Sequence, residues 1–239
     1  MRHLQEKVLI IIPCYNEEQR LQFAPFKKAP SQYFFLFVND GSTDGTGALI
    51  MRHVCENIML FDLPNNMGKG EAIRKGIQHA RSLPLFNQLK WVGYWDADLS
   101  TPISEIPHFL NYQEYFAPHA EAIFGSRVKR LGSTIKRSYK KHIFGRLFAT
   151  VVSLLFDLNS YDTQCGAKLF RKELAEKISR KPFISRWIFD VEVILRLKDH
   201  NITEYPLSHW EDMKGSKLNL ARVSLNIGND LWKIWKAYK

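Results

Sequence analysis

The sequence predicts an α/β domain, a mostly parallel sheet flanked by helices, and three observations carry that expectation. Short apolar runs recur at Val8 to Ile12, Tyr33 to Asn39, Ile58 to Leu63 and Trp91 to Asp96. Runs of that length without polar alternation mark strands buried on both faces. Stretches with one apolar row at helical spacing, such as Ile73, Ile77 and Ala80, lie between and after them. Each run also ends in polar punctuation, PCYNEE, NDGSTDGT, PNNMGKG and DADLSTP in turn. In open α/β sheets ligands gather beyond the carboxyl ends of strands, so these four endings are the candidate site.

Composition narrows the class. The chain has 239 residues, 45% apolar and 24% charged, enough for a full core and against disorder. Cys14, Cys55 and Cys165 are odd in number and form no CxxC, which argues against a disulfide framework or a zinc site and fits a reducing cytosol. The apolar run at Val8 stops at Pro13, as a first strand does and a signal peptide does not. A net charge of +10 suits nucleic acid, anionic lipid or a phosphorylated substrate. Much of it sits in one block: Ala122 to Phe156 holds no acidic residue, but holds Arg127, Lys129, Arg130, Lys136, Arg137, Lys140, Lys141 and Arg146.

Taken in order, Val8 to Ile12 is the first strand and Pro13 to Glu18 its loop and helix start. No GxGxxG stands here; a proline, an aromatic ring and carboxylates suit a wall for a flat base and a hold on ribose, or a plain strand-to-helix turn. Tyr33 to Asn39 delivers Asp40, followed by a capped helix over Thr46 to His53. A carboxylate there can accept an imide proton, or simply serve the turn. Ile58 to Leu63 leads to Gly68, Lys69 and Gly70, which let the backbone approach an anion without the spacing of a P-loop. Lys69 reads equally as a phosphate contact or a solvated lysine. Trp91 to Asp96 then runs into Asp96 and Asp98, hard oxygen ligands two apart that suit Mg2+ or Mn2+ bearing water and a diphosphate. A helix over Ile103 to Phe116 and a strand over Glu121 to Ser126 follow, the strand carrying Arg127 to the same edge, where its planar fork suits a phosphate or a surface carboxylate.

Tyr139 to Leu158 is helical, with Ile143, Leu147, Val151 and Leu155 in one row and Phe144, Phe148 and Val152 beside it. Its uncharged part, Leu147 to Phe156, falls far short of the roughly 20 residues of a bilayer crossing. Packing on the domain's own core is the expectation from amphipathicity alone; lying in a membrane interface is the other. Tyr161 to Phe170, YDTQCGAKLF, brings Asp162, Gln164 and Lys168 into one segment ahead of a strand. A helix over Trp187 to His200, flanked by Asp190 and Glu192, a strand over Ile202 to Pro206 and a basic glycine-containing loop over His209 to Leu218 come next. Asn219 to Tyr238 closes the chain as an amphipathic helix with Lys233, Lys236 and Lys239 near its end.

IPCYNEE, NDGSTDGT, NMGKGEAIRKG, DADLSTP, GSR, DTQCGAKLF and GSKL occur in an order and at spacings that resemble the inverting family 2 glycosyltransferases of the GT-A fold. The resemblance spans essentially the whole chain and is nearest to the polyprenyl or dolichyl phosphate glucose and mannose synthases, through NxGKGxA and DTQCGxK. It implies a single GT-A domain over 1–239 with C-terminal amphipathic helices. It also implies that Pro13, Tyr15 and Glu17 hold the nucleoside, Asp40 the uracil or guanine, Lys69 the nucleotide, and Asp96 with Asp98 the metal and diphosphate. Arg127, Arg137, Gln164, Lys214 and Lys217 are implied on the phosphate or acceptor side, with Asp162, Arg127 and Lys168 as catalytic candidates. Two departures stand out: Asn39 replaces the first Asp of the commoner DDGSTD, and Ser100 stands where related mannose synthases place a metal-binding Gln, leaving a third protein ligand in doubt.

The implied reaction moves a hexose with inversion from UDP-glucose or GDP-mannose to a polyprenyl phosphate. A phosphomonoester, with a second pKa of about 6, is already ionised and needs cations to position it; a saccharide hydroxyl needs a base. Asp162 is either that base or an orienting group. A lipid acceptor turns the basic, apolar helix at 137–158 into a candidate for docking on anionic membrane. The expected protein is then peripheral at the cytoplasmic membrane face, or works with a membrane partner. The alternatives are a family 2 transferase to a saccharide hydroxyl in envelope polysaccharide synthesis, and a non-catalytic nucleotide- or nucleic-acid-binding module. The last finds little support, since no aromatic residues interleave the basic ones as a stacking platform requires.

Overall fold

The computed structural model describes residues 6–213 and 220–239. Lys214 and Lys217 therefore lie outside the described residues. Seven strands, β1 (Lys7–Cys14), β2 (Tyr33–Asp40), β3 (Ile58–Leu63), β4 (Leu89–Trp95), β5 (Ala122–Ser126), β7 (Ala167–Arg171) and β8 (Ile202–Pro206), form one sheet in the order β3-β2-β1-β4-β7-β5-β8. β6 (Thr134–Lys136) and β9 (His209–Glu211) make a separate parallel pair. β7 is the strand that runs against its neighbours, antiparallel to β4 and β5; the other pairings of the large sheet are parallel.

The apolar runs are continuous because alternate residues serve opposite faces. Val8, Ile10 and Ile12 enter one core with Phe35, Phe37, Trp91 and Trp95, while Leu9 and Ile11 enter the other with Leu36, Val38, Val92 and Tyr94. The first core is closed by α1 (Ala24–Lys27), α2 (Thr46–Met51) and α4 (Glu105–Phe116), through Phe26, Ile50, Ile106 and Phe109. The second is closed by α3 (Lys69–Ala80), α6 (Lys172–Ser179) and α7 (Phe189–Arg196), through Ile73, Ile77, Ala175 and Val193. This is the sheet with helices on both faces that parallel strands require.

A third cluster lies apart, where α5 (Tyr139–Phe156) and α8 (Leu220–Tyr238) meet α7 through Val152, Val191, Leu195, Leu231 and Ile234. Here the structure departs from amphipathic expectation. Within α5 only Ala149 and Val152 are buried, and the row Ile143, Leu147, Val151 and Leu155 faces outward, Leu147 at 62% exposure. The packing face is the neighbouring one. No described helix is long and apolar enough to cross a membrane. Other differences are local: α7 is shorter than the Trp187 to His200 stretch, and α1 and α6 fall where no element was expected. β9 occupies part of the expected His209 to Leu218 loop.

Candidate functional site

The carboxyl ends of β1, β2, β4 and β5 and the amino end of the antiparallel β7 meet at one edge of the sheet. A cleft of about 790 Å³ opens there. One side of it holds Pro13 at the end of β1, Tyr15 and Glu17 after it, Asp40 at the end of β2, and Lys69 at the start of α3. The PCYNEE and NDGSTDGT segments brace each other: Asn16 N–H donates to Ser42 Oγ at 3.0 Å, Glu17 N–H to Thr46 Oγ1 at 2.8 Å, and Thr43 N–H to Asn16 Oδ1 at 2.8 Å. Much of their polarity is thus spent on the wall, leaving Tyr15 40% exposed over the cleft. Asp40 is buried and accepts from the Met67 and Gly68 N–H groups at 2.7 and 2.8 Å. It fixes the turn ahead of α3, where Gly68 adopts φ 93°, a conformation that favours glycine. Asn39 spans the same region, donating to Asp62 Oδ1 at 2.7 Å.

Asp96 and Asp98 follow β4, and Lys69 Nζ lies 2.5 Å from Asp96 Oδ1. Burial works to lower the Lys69 pKa, but Asp96 and Asp190 overcome it and raise it, while Asp98 is pushed up by burial and by Asp96 beside it. Two carboxylates crowded in this way, with hard oxygen donors, fit a divalent cation. Among the described residues no third His, Cys, Asp or Glu joins them. Ser100, at the position in doubt, instead donates its N–H to Asp98 Oδ1 at 3.0 Å.

The other side of the cleft is built on Arg127 and Asp162. The guanidinium grips the carboxylate with two bonds, Nε to Oδ2 at 2.6 Å and Nη2 to Oδ1 at 2.7 Å, and the Arg127 N–H adds a third at 3.1 Å. Burial works to raise the Asp162 pKa, but Arg127 wins and holds it at about 2. Arg137 lines the same wall, its pKa lowered by burial and by the nearby Arg127 charge. Lys141 pairs with Asp212 at 2.7 Å, and Phe144, Phe148 and Ile227 give the cleft an apolar end along α5 and α8. Gln164 also lines it, its Nε2 buried without a hydrogen-bond partner among the described residues.

A family model, "Glycosyl transferase family 2", matches residues 9–179. The chain belongs to glycosyl transferase family 2. Within that family it is 31% identical over 252 residues to a dolichyl-phosphate beta-glucosyltransferase of Drosophila melanogaster, covering 96% of this chain and 74% of that one. The Homo sapiens protein of the same name is 28% identical, covering 95% of this chain and 74% of that one. Among solved structures, glucosyl-3-phosphoglycerate synthase from Mycobacterium tuberculosis, in complex with Mn2+, uridine-diphosphate and phosphoglyceric acid, superposes with a TM-score of 0.71 at 14% identity, covering 98% of this chain and 80% of that one. Mannosyl-3-phosphoglycerate synthase from Rubrobacter xylanophilus gives 0.69, also at 14% identity, over 99% of this chain and 76% of that one.

One family 2 motif residue takes a different place from the one expected of it. Lys168 does not reach the cleft: it is fully buried, and its ammonium is spent on Thr163 O, Cys165 O and Asp190 Oδ1 at 3.1, 2.6 and 2.6 Å. It cannot act on a reacting atom from there. Asp190 and Glu192, expected to flank their helix, are buried for the same reason, since each is paired inside. Asn66, Arg186 and Trp187 also line the cleft, though nothing in the sequence gives them a role there, and Lys141 joins them from the basic block.

Proposed function

We propose that this protein transfers a hexose, glucose from UDP-glucose in the first instance, with inversion to a polyprenyl phosphate at a membrane surface. The observation that carries the acceptor class is the Arg127–Asp162 pair. A carboxyl held at about 2 and gripped on both oxygens is a poor proton acceptor at neutral pH, so the acceptor has to arrive already ionised. A phosphomonoester does so, with a second pKa of about 6; a saccharide hydroxyl does not. The names of the relatives, dolichyl-phosphate glucosyltransferases, agree with that choice.

Tyr15 and Glu17 would hold the nucleoside, with Asp40 offering its remaining lone pairs to the base. Asp96 and Asp98 would hold Mg2+ or Mn2+, which supplies charge neutralisation for the leaving diphosphate. Lys69 is positioned to add a further cation to that diphosphate. Arg127 and Arg137, with Lys214 and Lys217 from the segment beyond Met213, would orient the acceptor phosphate. One phosphate oxygen attacks the anomeric carbon as its bond to the diphosphate oxygen breaks; no proton need move. The isoprenoid would lead away past Phe144, Phe148 and Ile227.

A single catalytic domain over 1–239 fits this reading, with 137–158 as the interfacial helix, its exposed apolar row and basic N-terminal half facing anionic lipid at the cytoplasmic face. The C-terminal amphipathic helix would support it from behind, and a membrane-bound partner protein would be a further tether. Purified protein given radiolabelled UDP-glucose or GDP-mannose, Mn2+ and polyprenyl phosphate should yield an acid-labile lipid-linked sugar. Labelled oligosaccharide from a hydroxyl acceptor, with none from lipid phosphate, would instead select the saccharide reading.

A further inference from the structure

Lys168 is a fully buried cation that the reaction as written does not use. Its position is unusual for more than burial. Two of its acceptors, the carbonyls of Thr163 and Cys165, belong to the loop that carries Asp162 and Gln164. The third, Asp190 Oδ1, also accepts the Tyr94 hydroxyl at 2.5 Å, and Tyr94 stands opposite Lys168 in the sheet, two residues before Asp96. Asp190 in turn lies in the first turn of α7, whose first residue Phe189 and the preceding Trp187 and Ile188 form a wall of the cleft. One buried ion pair thus joins the metal-side strand, the acceptor loop and the cleft wall. The loop is seated tightly: Gly166 has no Cβ to spare, because one would overlap the Asp96 carboxylate.

We propose that Lys168 and Asp190 are a positioning pair, which sets the loop from Asp162 to Gly166 against Asp96 and so fixes where Arg127 presents the acceptor phosphate. This deepens the reading of the site as a lipid-phosphate transferase and rests on it. The pair acts on the acceptor step. The Lys168 ammonium bonds none of the groups assigned to the donor, Pro13, Tyr15, Asp40, Lys69, Asp96 and Asp98; it reaches β4 through Asp190 and Tyr94, and the acceptor loop directly. Small displacements of a positioned reactant carry large rate costs, on the order of 100-fold for 1 Å.

The test compares wild type, Lys168→Met, and Lys168→Met combined with Asp190→Asn, the double variant leaving no unpaired buried charge and keeping an acceptor for Tyr94. Each is checked for folding by circular dichroism, for Mn2+–UDP affinity by calorimetry, and for kcat and KM toward both substrates. The expected result is UDP affinity unchanged in Lys168→Met and shifted far less than kcat in the double variant, with kcat down by about 10- to 100-fold and a raised KM for polyprenyl phosphate. A folded double variant with wild-type kcat and acceptor KM overturns the proposal. So does a loss of UDP affinity in step with activity, or a double variant that does not fold, since either marks a general structural role. A wild-type protein that glucosylates no lipid phosphate would overturn the functional reading itself, and the acceptor role of the pair with it.

Discussion

Asp162→Asn separates an orienting carboxylate from a catalytic base. The substitution keeps the shape and removes the charge, leaving the Arg127 guanidinium buried against a neutral amide. Both side chains are nearly enclosed, at 12% and 9% exposure, so solvent screening gives little discount. The folded carboxyl lies at about 2 against an ordinary 3.8. At about 1.4 kcal/mol per pH unit, that difference contributes about 2 kcal/mol at neutral pH. The sign is that of a depressed acid: the stabilisation is present above 3.8 and is lost as pH falls through about 2. Stranding Arg127 adds to the loss, for a total of about 3–5 kcal/mol. Urea melts at a series of pH values should therefore find wild type and variant separated by a constant gap between pH 5 and 8. Over the same range the wild-type rate should follow only the ionisation of the acceptor phosphate near 6, with kcat of the variant about 100-fold lower from misplacement of Arg127. A stability gap that changes between pH 5 and 8, or a second rate limb in that range that vanishes in the variant, would mean that Asp162 titrates near neutrality, and the reasoning would fail.

Asp96→Asn with Asp98→Asn should cut transfer at least about 100-fold and abolish its response to added Mn2+, read in a metal titration of the rate. Gly166→Ala should cost about 1–3 kcal/mol and most of the activity, because its Cβ intrudes on Asp96; Gly228→Ala, with open space around it in a helix, should be neutral or stabilising in the same thermal melts. Leu147→Asp with Val151→Asp should leave the melting temperature nearly unchanged, since both side chains are exposed, while co-sedimentation with anionic vesicles at low salt is lost.

The central strands were legible because two cores read them at once. Val8 to Ile12 has no polar residue to spare when odd and even positions are both buried, and the same holds for Phe34 to Val38. The cleft edge was legible for a related reason, since strand endings in a parallel sheet collect at one side and the polar motifs sit on those endings. What was not legible depends on distant partners. Lys168 stands among Asp162 and Gln164 in sequence and reads as a cleft cation. Its burial follows from the antiparallel pairing of β7 with β4 and from Asp190, 22 residues on. The outward turn of α5 is of the same kind. A helix with apolar residues on more than half its circumference offers two candidate packing faces, and α8 and α7 choose the one at Val152. β6 and β9 are too short for any periodicity to register, and their partners lie 75 residues apart.

The ion pairs of the cleft divide into those a ligand can exchange and those it cannot, and this division orders the chemistry. Lys69 and Asp96 are 38% and 33% exposed, so each can trade its partner for a ligand, Asp96 for a metal ion and Lys69 for a phosphate, with little desolvation to repeat. Arg127 and Asp162 are closed in and joined by three hydrogen bonds, so their geometry persists whether or not substrate is bound. Arg137 stands between these cases, a half-buried cation whose charge is disfavoured by burial and by Arg127 beside it, and the arrival of an anion would relieve that cost. The proposed donor side would thus adapt to its ligand through an exchangeable pair. On the proposed reading, the acceptor side sets Arg137, without a bonded carboxylate among the described residues, next to a fixed fork, a demand for negative charge that a phosphate meets and a neutral hydroxyl does not.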